Sequence, residues 1–518
     1  MSTSPELARL LDDAVEVYRR DRNAPPIALA DVERCARRLR EPLRIALAGA
    51  LKAGKSTLLN ALIGEELAPT AATECTTVVT WFRHGTTPSV QACHVNGQHA
   101  AVPIERRDAH LNFDLGRLDP AELDRLEVSW PTPELNRVTI IDTPGTTSLN
   151  AEISRRTLRL LAPEDGTSGA DAVVYLMRTS TAADYSTLAE LNRQVGGRGG
   201  PLGVIGVLSR ADEIGVGRID AMLSAQEIAA RYAGELSASG LCQAVVPVAG
   251  LLAVTARTLR QREFTALRAL AEASADDLQL AMLSVDRFSR ENSPLPVPAD
   301  VRVALLNRFG IFGIRIAIAL LQGGVPDAAT LSAQLLERSG IVELRERIEV
   351  QFGQRAEQLK AHSALTELAR ILTRHPVDGT APILAATRRL LGDVHGFEEV
   401  RLLGRLRSCK TSLTDSEIVE VTRLIGGYGA SPDDRLGLDP FEAMTSGRDR
   451  ALAAVQRWRA RSGHPLNDGF TTRVCRAAAR SAEGIVAQMT RTSMMRESGI
   501  REPGIREPGI RGSGHRMR

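Results

Sequence analysis

The spacing of apolar positions changes twice along the chain, predicting a helix, then an α/β region, then a long helical region. Between residues 5 and 20, Leu7, Leu10, Leu11, Ala14, Val15 and Tyr18 fall on one stripe, the pattern of an amphipathic helix. Leu43 to Ala48 is a short apolar run that ends in glycine and reads as a buried strand. Further strands are expected at Thr76 to Phe82, Val138 to Ile141, Ala172 to Met177, Val204 to Leu208 and Ala244 to Val248. Helical stretches separate the later ones, the alternation that builds a mostly parallel sheet.

Strand signals stop after about residue 250. Val254 to Arg290 reads as helix up to the proline-rich break Ser293 to Pro298, and Val301 to Leu321 follows as far as Gly323-Gly324-Val325-Pro326. Ile341 to Arg374 carries Leu344, Ile348, Phe352, Ala356 and Leu359 on one face. Unbroken, it would be about 50 Å long. Pro376 to Pro382 interrupts it, and shorter helices lead to Asn467 to Met489, with Phe470, Val474, Ala478, Ala482, Ile485 and Met489 at spacings of three and four. From Ile500 the pentapeptide I-R-E-P-G repeats, a composition too polar and proline-rich to offset its ordering entropy, so disorder is expected there.

Composition narrows the reading without changing it. At 518 residues two or more domains are expected. Sixty-five basic against 62 acidic side chains leave a net charge of +3, which argues against a nucleic-acid partner. Six cysteines without a C-x-x-C pair suggest neither a zinc site nor a disulfide framework, and a reducing cytoplasm fits. The N-terminus lacks a signal pattern, and no apolar run approaches the roughly 18 residues of a spanning helix. Membrane contact is therefore expected to be peripheral. Lysine occurs only at Lys52, Lys55, Lys360 and Lys410, so a lysine here marks a position where arginine did not serve.

The chemistry centres on Gly49-Ala50-Leu51-Lys52-Ala53-Gly54-Lys55-Ser56, a full match to G-x-x-x-x-G-K-[ST] between a strand and the helix that begins at Thr57. In such a P-loop the backbone N–H groups wrap phosphates, Lys55 reaches the β and γ oxygens, and Ser56 serves Mg²⁺. Asp142, at a strand end in D-T-P-G, is placed to hold Mg²⁺ through water, and Gly145 to offer its N–H to the γ-phosphate. Ser209-Arg210-Ala211-Asp212 stands where GTPases carry [NT]-K-x-D. A carboxylate there accepts from guanine N1–H and N2–H₂, a pair adenine does not offer, so GTP and GDP are the expected ligands. The segment Val246 to Gly250, through Ala249, would add backbone contacts to the base. For a threonine on Mg²⁺ the choice is Thr76, with Thr77 and Thr73 as alternates.

These motifs, with GALKAGKSTLLNALIGEELAPT, ECTT, VTWFRHG and QAVVPVAGLLA, resemble the bacterial dynamin-like family, and within it the mycobacterial isoniazid-inducible group. The resemblance spans roughly residues 1 to 490. It implies a GTPase head at 41–253, an N-terminal neck helix at 1–40 and an elongated helical neck and stalk at 254–490, while the low-complexity tail at 491–518 falls outside it. It also implies that the N-terminal helix pairs with Asn467 to Met489. The implied activity is GTP hydrolysis with Mg²⁺, stimulated by assembly. The implied partners are a phospholipid membrane at the inner face of the plasma membrane and either a second copy through the heads or a second dynamin-like chain. A stalk tip would touch lipid, and Pro382, Ile383 and Leu384, beside Arg388 and Arg389, are the expected tip, with the more hydrophobic Phe309 to Leu321, which reads as a buried helix, as the competing segment. Within the P-loop, Leu51 and Lys52 occupy positions where many dynamins carry glutamine and serine. Leu51 cannot orient water, whereas Lys52 would supply positive charge to the transferring phosphate. A GTP-regulated scaffold with little hydrolysis is the alternative.

Overall fold

The computed structural model describes residues 4–68, 78–107, 110–113, 115–116, 118–145, 169–195, 203–238, 242, 244–393, 395–406 and 411–497. Thr73, Thr76, Thr77 and the pentapeptide repeats lie outside the described residues. The chain forms two compact units, Met1–Lys410 and Thr411–Arg518, so the boundary read near residue 253 falls inside the first unit.

A nine-stranded sheet organises that unit. Its strands are β1 (Leu43–Gly49), β2 (Thr80–His84), β3 (Ser89–His94), β4 (His99–Val102), β7 (Leu123–Trp130), β8 (Val138–Asp142), β9 (Ala172–Met177), β10 (Val204–Ser209) and β11 (Val245–Val248), while β5 (Ile104–Arg107) and β6 (His110–Phe113) form a separate hairpin. The order is β11-β10-β9-β1-β8-β2-β7-β3-β4. β11, β10, β9, β1 and β8 run parallel. β2 pairs antiparallel with β8 and parallel with β7, while β3 and β4 extend the sheet antiparallel. The sheet is thus mixed. Its central strands are apolar on both faces, as a sheet covered twice requires. Leu43, Ile45 and Leu47 point into a core with the helix Lys55–Ile63, and Ala46 and Ala48 into a second core with Leu188, Leu191, Ala225 and Ala229.

The helices that follow continue the packing. Ile341, Leu344 and Phe352 belong to the first sheet core. Leu252, Phe264, Leu267, Phe288, Phe309, Phe312 and Leu335 build a third, all-helical core. Where the sequence reads one helix over 254–290 there are four, Gly250–Arg257, Gln261–Ala271, Ala275–Ala281 and Val285–Ser289. The predicted 341–374 helix is also broken, into Ala356–Arg374 and Ile341–Gln351 with a 3₁₀ turn at Gly353–Arg355. The joint opens at Phe352 and Arg355, whose φ near −115° departs from the helical value. The apolar stripe ran through both because each half buries the same face.

The helix Ala299–Gln322 is, by length and composition, apolar enough to cross a membrane, contrary to the sequence expectation. It bends at Gly310 (φ +64°) and buries Leu305, Phe309, Phe312, Ile314 and Ile318 in the helical core.

The N-terminal region is two helices, Ser4–Arg20 and Pro26–Arg38. The stripe Leu7, Leu11, Ala14 and Tyr18 is covered by Val32 and Cys35 and by Leu365, Leu368, Ile371 and Leu372 of Ala356–Arg374, within the first unit. Tyr18 Oη donates to His375 O at 2.5 Å. The residues expected at the tip adjoin this cluster, with Pro382, Arg388 and Arg389 exposed. Pro382, Ile383 and Leu384 lie in the helix Thr380–Asp393, Ile383 is 7% exposed within this same cluster, and Leu384 packs against it. Arg389 pairs with Glu6 at 3.4 Å, and Arg388 lies on the same helix one residue before it. The proline break is a short turn between Ala356–Arg374 and Thr380–Asp393, with Pro376, Asp378 and Gly379 exposed. In the second unit, the helices Pro440–Ser462 and Gly469–Glu497 pack on each other and bury Trp458, Val474, Ala478, Ala482 and Ile485.

Candidate functional site: a P-loop at the centre of the sheet

Gly49 ends β1 at φ +145°, and a Cβ there would lie 2.3 Å from Leu176 O of β9. Only glycine lets the chain turn out of the sheet at that point. Gly54 (φ +93°) begins the helix Lys55–Ile63 from the left-handed region. Between them Lys52 also has positive φ, +60°, a conformation that costs an L residue roughly 1–2 kcal/mol.

Lys55 is buried, and its Nζ donates to Gly49 O at 3.2 Å and Ala50 O at 3.1 Å. Burial pushes its ammonium down from the ordinary value, opposed by the Asp142 charge. Ser56 Oγ donates to Asp142 Oδ2 at 2.8 Å. Burial raises the Asp142 carboxyl, while Lys55 and the Ser56 hydroxyl pull it back. Its Oδ1 is buried without a hydrogen-bond partner among the described residues. Thr143 Oγ1 donates to Leu47 O at 2.8 Å, which fixes the start of D-T-P-G against β1. Gly145 then passes so close to the P-loop that a Cβ would stand 2.9 Å from Leu51 N. Leu51 itself is 49% exposed.

A hydroxyl and a carboxylate facing each other, with a buried oxygen to spare, fit Mg²⁺ in donor chemistry. No described group of three or more His, Cys, Asp or Glu could hold a metal alone, so the ion would take its remaining ligands from phosphate and water, as Mg²⁺ commonly does. Thr76, the third proposed ligand, is outside the described residues.

A cavity of about 190 Å³ opens beside the P-loop, lined by Ala53, Gly54, Thr57, Ser209, Arg210 and Asp212, with Leu176, Val207, Gly250 and Leu251 among the remaining walls. Burial raises the Asp212 carboxyl, and its own backbone N–H lowers it. Arg210 is a second residue in the left-handed region, at φ +53°. Its Nη2 donates to Lys52 O at 3.2 Å and its Nη1 to Glu213 at 2.7 Å. One guanidinium therefore joins two strained loops, the kind of conformation that clusters at working sites. Ser209 takes a different part from the one its position suggests: its Oγ donates to Met177 O at 3.1 Å and locks β10 to β9. Ala249 is corrected outright. It is fully buried and its N–H donates to Ser339 O at 2.9 Å, so its neighbours Val248, Gly250 and Leu251 form that wall instead.

Two supports escaped the sequence reading. Asn60, buried in the P-loop helix, accepts from the N–H groups of Leu67 and Ala68 and donates to Ala68 O at 2.9 Å. A polar residue inside the apolar run T-L-L-N-A-L-I was its signal. Arg308 pairs with Glu66 at 2.9 Å and Glu263 at 2.7 Å and donates to Thr258 O at 3.0 Å, joining that loop to the helical core. Nothing local in the sequence links residues so far apart.

The profile of the dynamin family matches residues 45–211, from β1 through the Ser209-Arg210-Ala211 turn. The isoniazid-induced protein IniC of Mycobacterium tuberculosis is 56% identical over 495 residues, covering 95% of this chain and 99% of that protein. The chain belongs to the dynamin family. Other relatives match mainly in part. The isoniazid-induced protein IniA of M. tuberculosis is 37% identical over 155 residues, 28% of this chain and 23% of IniA. A bacterial dynamin-like protein of Nostoc punctiforme is 30% identical over 171 residues, 30% of this chain and 23% of that protein. Residues 45–211 thus belong to a dynamin-type GTPase domain, and the chain beyond β11 is helical among the described residues.

Proposed function

We propose that this protein binds and hydrolyses GTP with Mg²⁺ and acts peripherally on phospholipid membrane, with turnover that rises on self-association. The observation that carries the nucleotide part is the Ser56–Asp142 hydrogen bond of 2.8 Å at one end of the P-loop with Asp212 lining the cavity at the other. Phosphate and metal would sit at the first, guanine at the second. Gly49, Ala50, Leu51, Lys52, Ala53, Gly54, Lys55, Ser56 and Thr57 would wrap the phosphates. The reading takes its membrane role, and a place at the cytoplasmic face of the plasma membrane, from family membership. The lipid contact would come from the helix Thr380–Asp393, where Pro382, Arg388 and Arg389 are exposed and Ile383 is buried.

Lys52 is exposed and makes no hydrogen bond or ion pair through its side chain among the described residues, while Arg210 holds its carbonyl. Its charge would act on the transferring phosphate in cis. Turnover per molecule is expected to rise with protein concentration and with phospholipid vesicles, and Lys52→Ala to slow hydrolysis at unchanged GTP affinity. Turnover that stays flat refutes the assembly dependence. An alanine variant with wild-type rate refutes the role of Lys52. The exposed Leu51, unable to orient water, favours a second reading, a GTP-regulated scaffold or the partner of a second dynamin-like chain. Single-turnover hydrolysis separates the two.

A further inference from the structure

The residue after Asp212 holds two arginines at the mouth of the nucleotide cavity. Glu213 lines that cavity beside Asp212 and Arg210. Its Oε1 accepts from Arg210 Nη1 at 2.7 Å and its Oε2 from Arg178 Nη2 at 3.0 Å. With each oxygen taken by a different guanidinium, the carboxylate has a single orientation. Arg178 directly follows β9 and Arg210 directly follows β10, so Glu213 ties together the ends of two neighbouring strands.

The backbone that carries Glu213 is fixed as well. Its N–H donates to Arg210 O at 3.0 Å. Gly215, Val216 and Gly217 follow with φ of +61°, +59° and +67°, a conformation that a β-branched residue such as valine adopts only under constraint. The constraint is Arg315, whose Nη1 donates to Val216 O at 3.1 Å and also to Gly217 O, while its Nη2 donates to Met282 O. The helix Ala299–Gln322 thereby holds the loop, and the two arginines hold its carboxylate.

Both ion pairs are about half-exposed, so their attraction alone contributes little. What they supply is direction. A guanidinium is a rigid planar fork, and with Nη1 fixed on Glu213 the Nη2 of Arg210 is aimed at Lys52 O, 3.2 Å away. Lys52 and Arg210 both stand in the left-handed region, and this fork is what joins them. We propose that Glu213 is a positioning residue of the nucleotide site: it sets the Arg210 guanidinium and, through it, the P-loop backbone at Lys52. This role rests on the guanine-nucleotide reading above. The charge of Glu213 acts in the opposite sense. Burial raises the Asp212 carboxyl and the adjacent Glu213 charge raises it further, so by charge alone the removal of Glu213 would favour the ionised Asp212 that guanine needs. Weaker GDP binding without Glu213 therefore reports the lost hold on Arg210.

The test titrates a fluorescent GDP analogue, with Mg²⁺, into the full chain as wild type, Glu213→Ala, Glu213→Gln, Arg210→Met and Arg210→Met/Glu213→Ala. Glu213→Ala is expected to weaken binding about fivefold, the upper range for an exposed pair. Glu213→Gln keeps an acceptor for Arg210 and should stay within about twofold of wild type, a rescue that a loss of fold would not show. In the Arg210→Met background the alanine should cost less than about twofold more, because the group it acts through is gone. Wild-type affinity in Glu213→Ala, or a second full loss in the double variant, overturns the role of Glu213. A loss of preference for GDP over ATP in Glu213→Ala would place the effect on Asp212 and overturns it too. Absence of GDP binding by the wild type instead refutes the nucleotide reading itself, and this role with it.

Discussion

Asp142 gives the sharpest test of how this site trades stability for binding. Its carboxylate is buried, with one oxygen satisfied by Ser56 at 2.8 Å and the other unpartnered among the described residues. Leaving a buried acceptor unsatisfied costs about 1–3 kcal/mol, more for a charged group. Asp142→Asn retains an acceptor for Ser56 and removes the charge. The nucleotide-free variant is therefore expected to be more stable than wild type by about 1 kcal/mol or more. At about 2.1 cal/mol/K per residue, the unit Met1–Lys410 shifts its thermal midpoint by only about 1 °C per kcal/mol, so urea midpoints are the better readout. The sign of the pH dependence follows from the raised carboxyl. Its contribution favours folding below the unfolded value, about 3.9, and is lost as pH rises through the higher folded value. The advantage of the Asn variant should thus narrow as pH falls. The same variant should lose at least tenfold of the gain that Mg²⁺ brings to GDP affinity. A variant less stable than wild type without nucleotide, or one that keeps the full Mg²⁺ effect, refutes this account of Asp142.

Arg308→Met removes the cation that faces the two buried carboxylates Glu66 and Glu263 and is expected to destabilise the first unit by about 3 kcal/mol; adding Glu66→Gln and Glu263→Gln should recover much of the loss in urea titrations. Gly49→Ala places a methyl group 2.3 Å from Leu176 O, so fluorescent GDP binding should be abolished even where circular dichroism shows a folded chain. Ile383→Ala removes a buried contact between the N-terminal helices and Thr380–Asp393 and should cost about 2 kcal/mol. Unchanged stability would refute the burial of Ile383 in that cluster.

The parts legible in the sequence are those whose cause is local. The P-loop declares itself because Gly49 and Gly54 are needed at positive φ and Lys55 and Ser56 follow without a gap. β1, β8, β9, β10 and β11 were readable because each is an uninterrupted apolar run, buried on both faces. β3, β4 and β7 were not: Ser89–His94 reads S-V-Q-A-C-H, a strand near the sheet edge with polar residues on one side, whose partners lie six to forty residues away. Helix breaks escaped for the opposite reason. The stripe from Leu344 to Leu359 continues across Phe352 because both halves lie on the same core, so periodicity carries no mark of the joint. Ala249 was misjudged by one residue, a shift that turns an N–H from the cavity to Ser339. The partner of the N-terminal helix depends on residues 361–383, and amphipathicity shows that a helix needs a partner without naming it.

The central claim is a guanine-specific triphosphate site whose base end is Asp212. The most direct measurement is displacement of a fluorescent GTP analogue, with Mg²⁺, by unlabelled GTP, GDP and ATP, on wild type and on Asp212→Asn. GTP and GDP should displace at least a hundredfold more effectively than ATP, and Asp212→Asn should lose most of that preference, since a group that pairs with two guanine donors no longer accepts both. Equal displacement by ATP, or a preference for GTP that survives Asp212→Asn, would contradict the account.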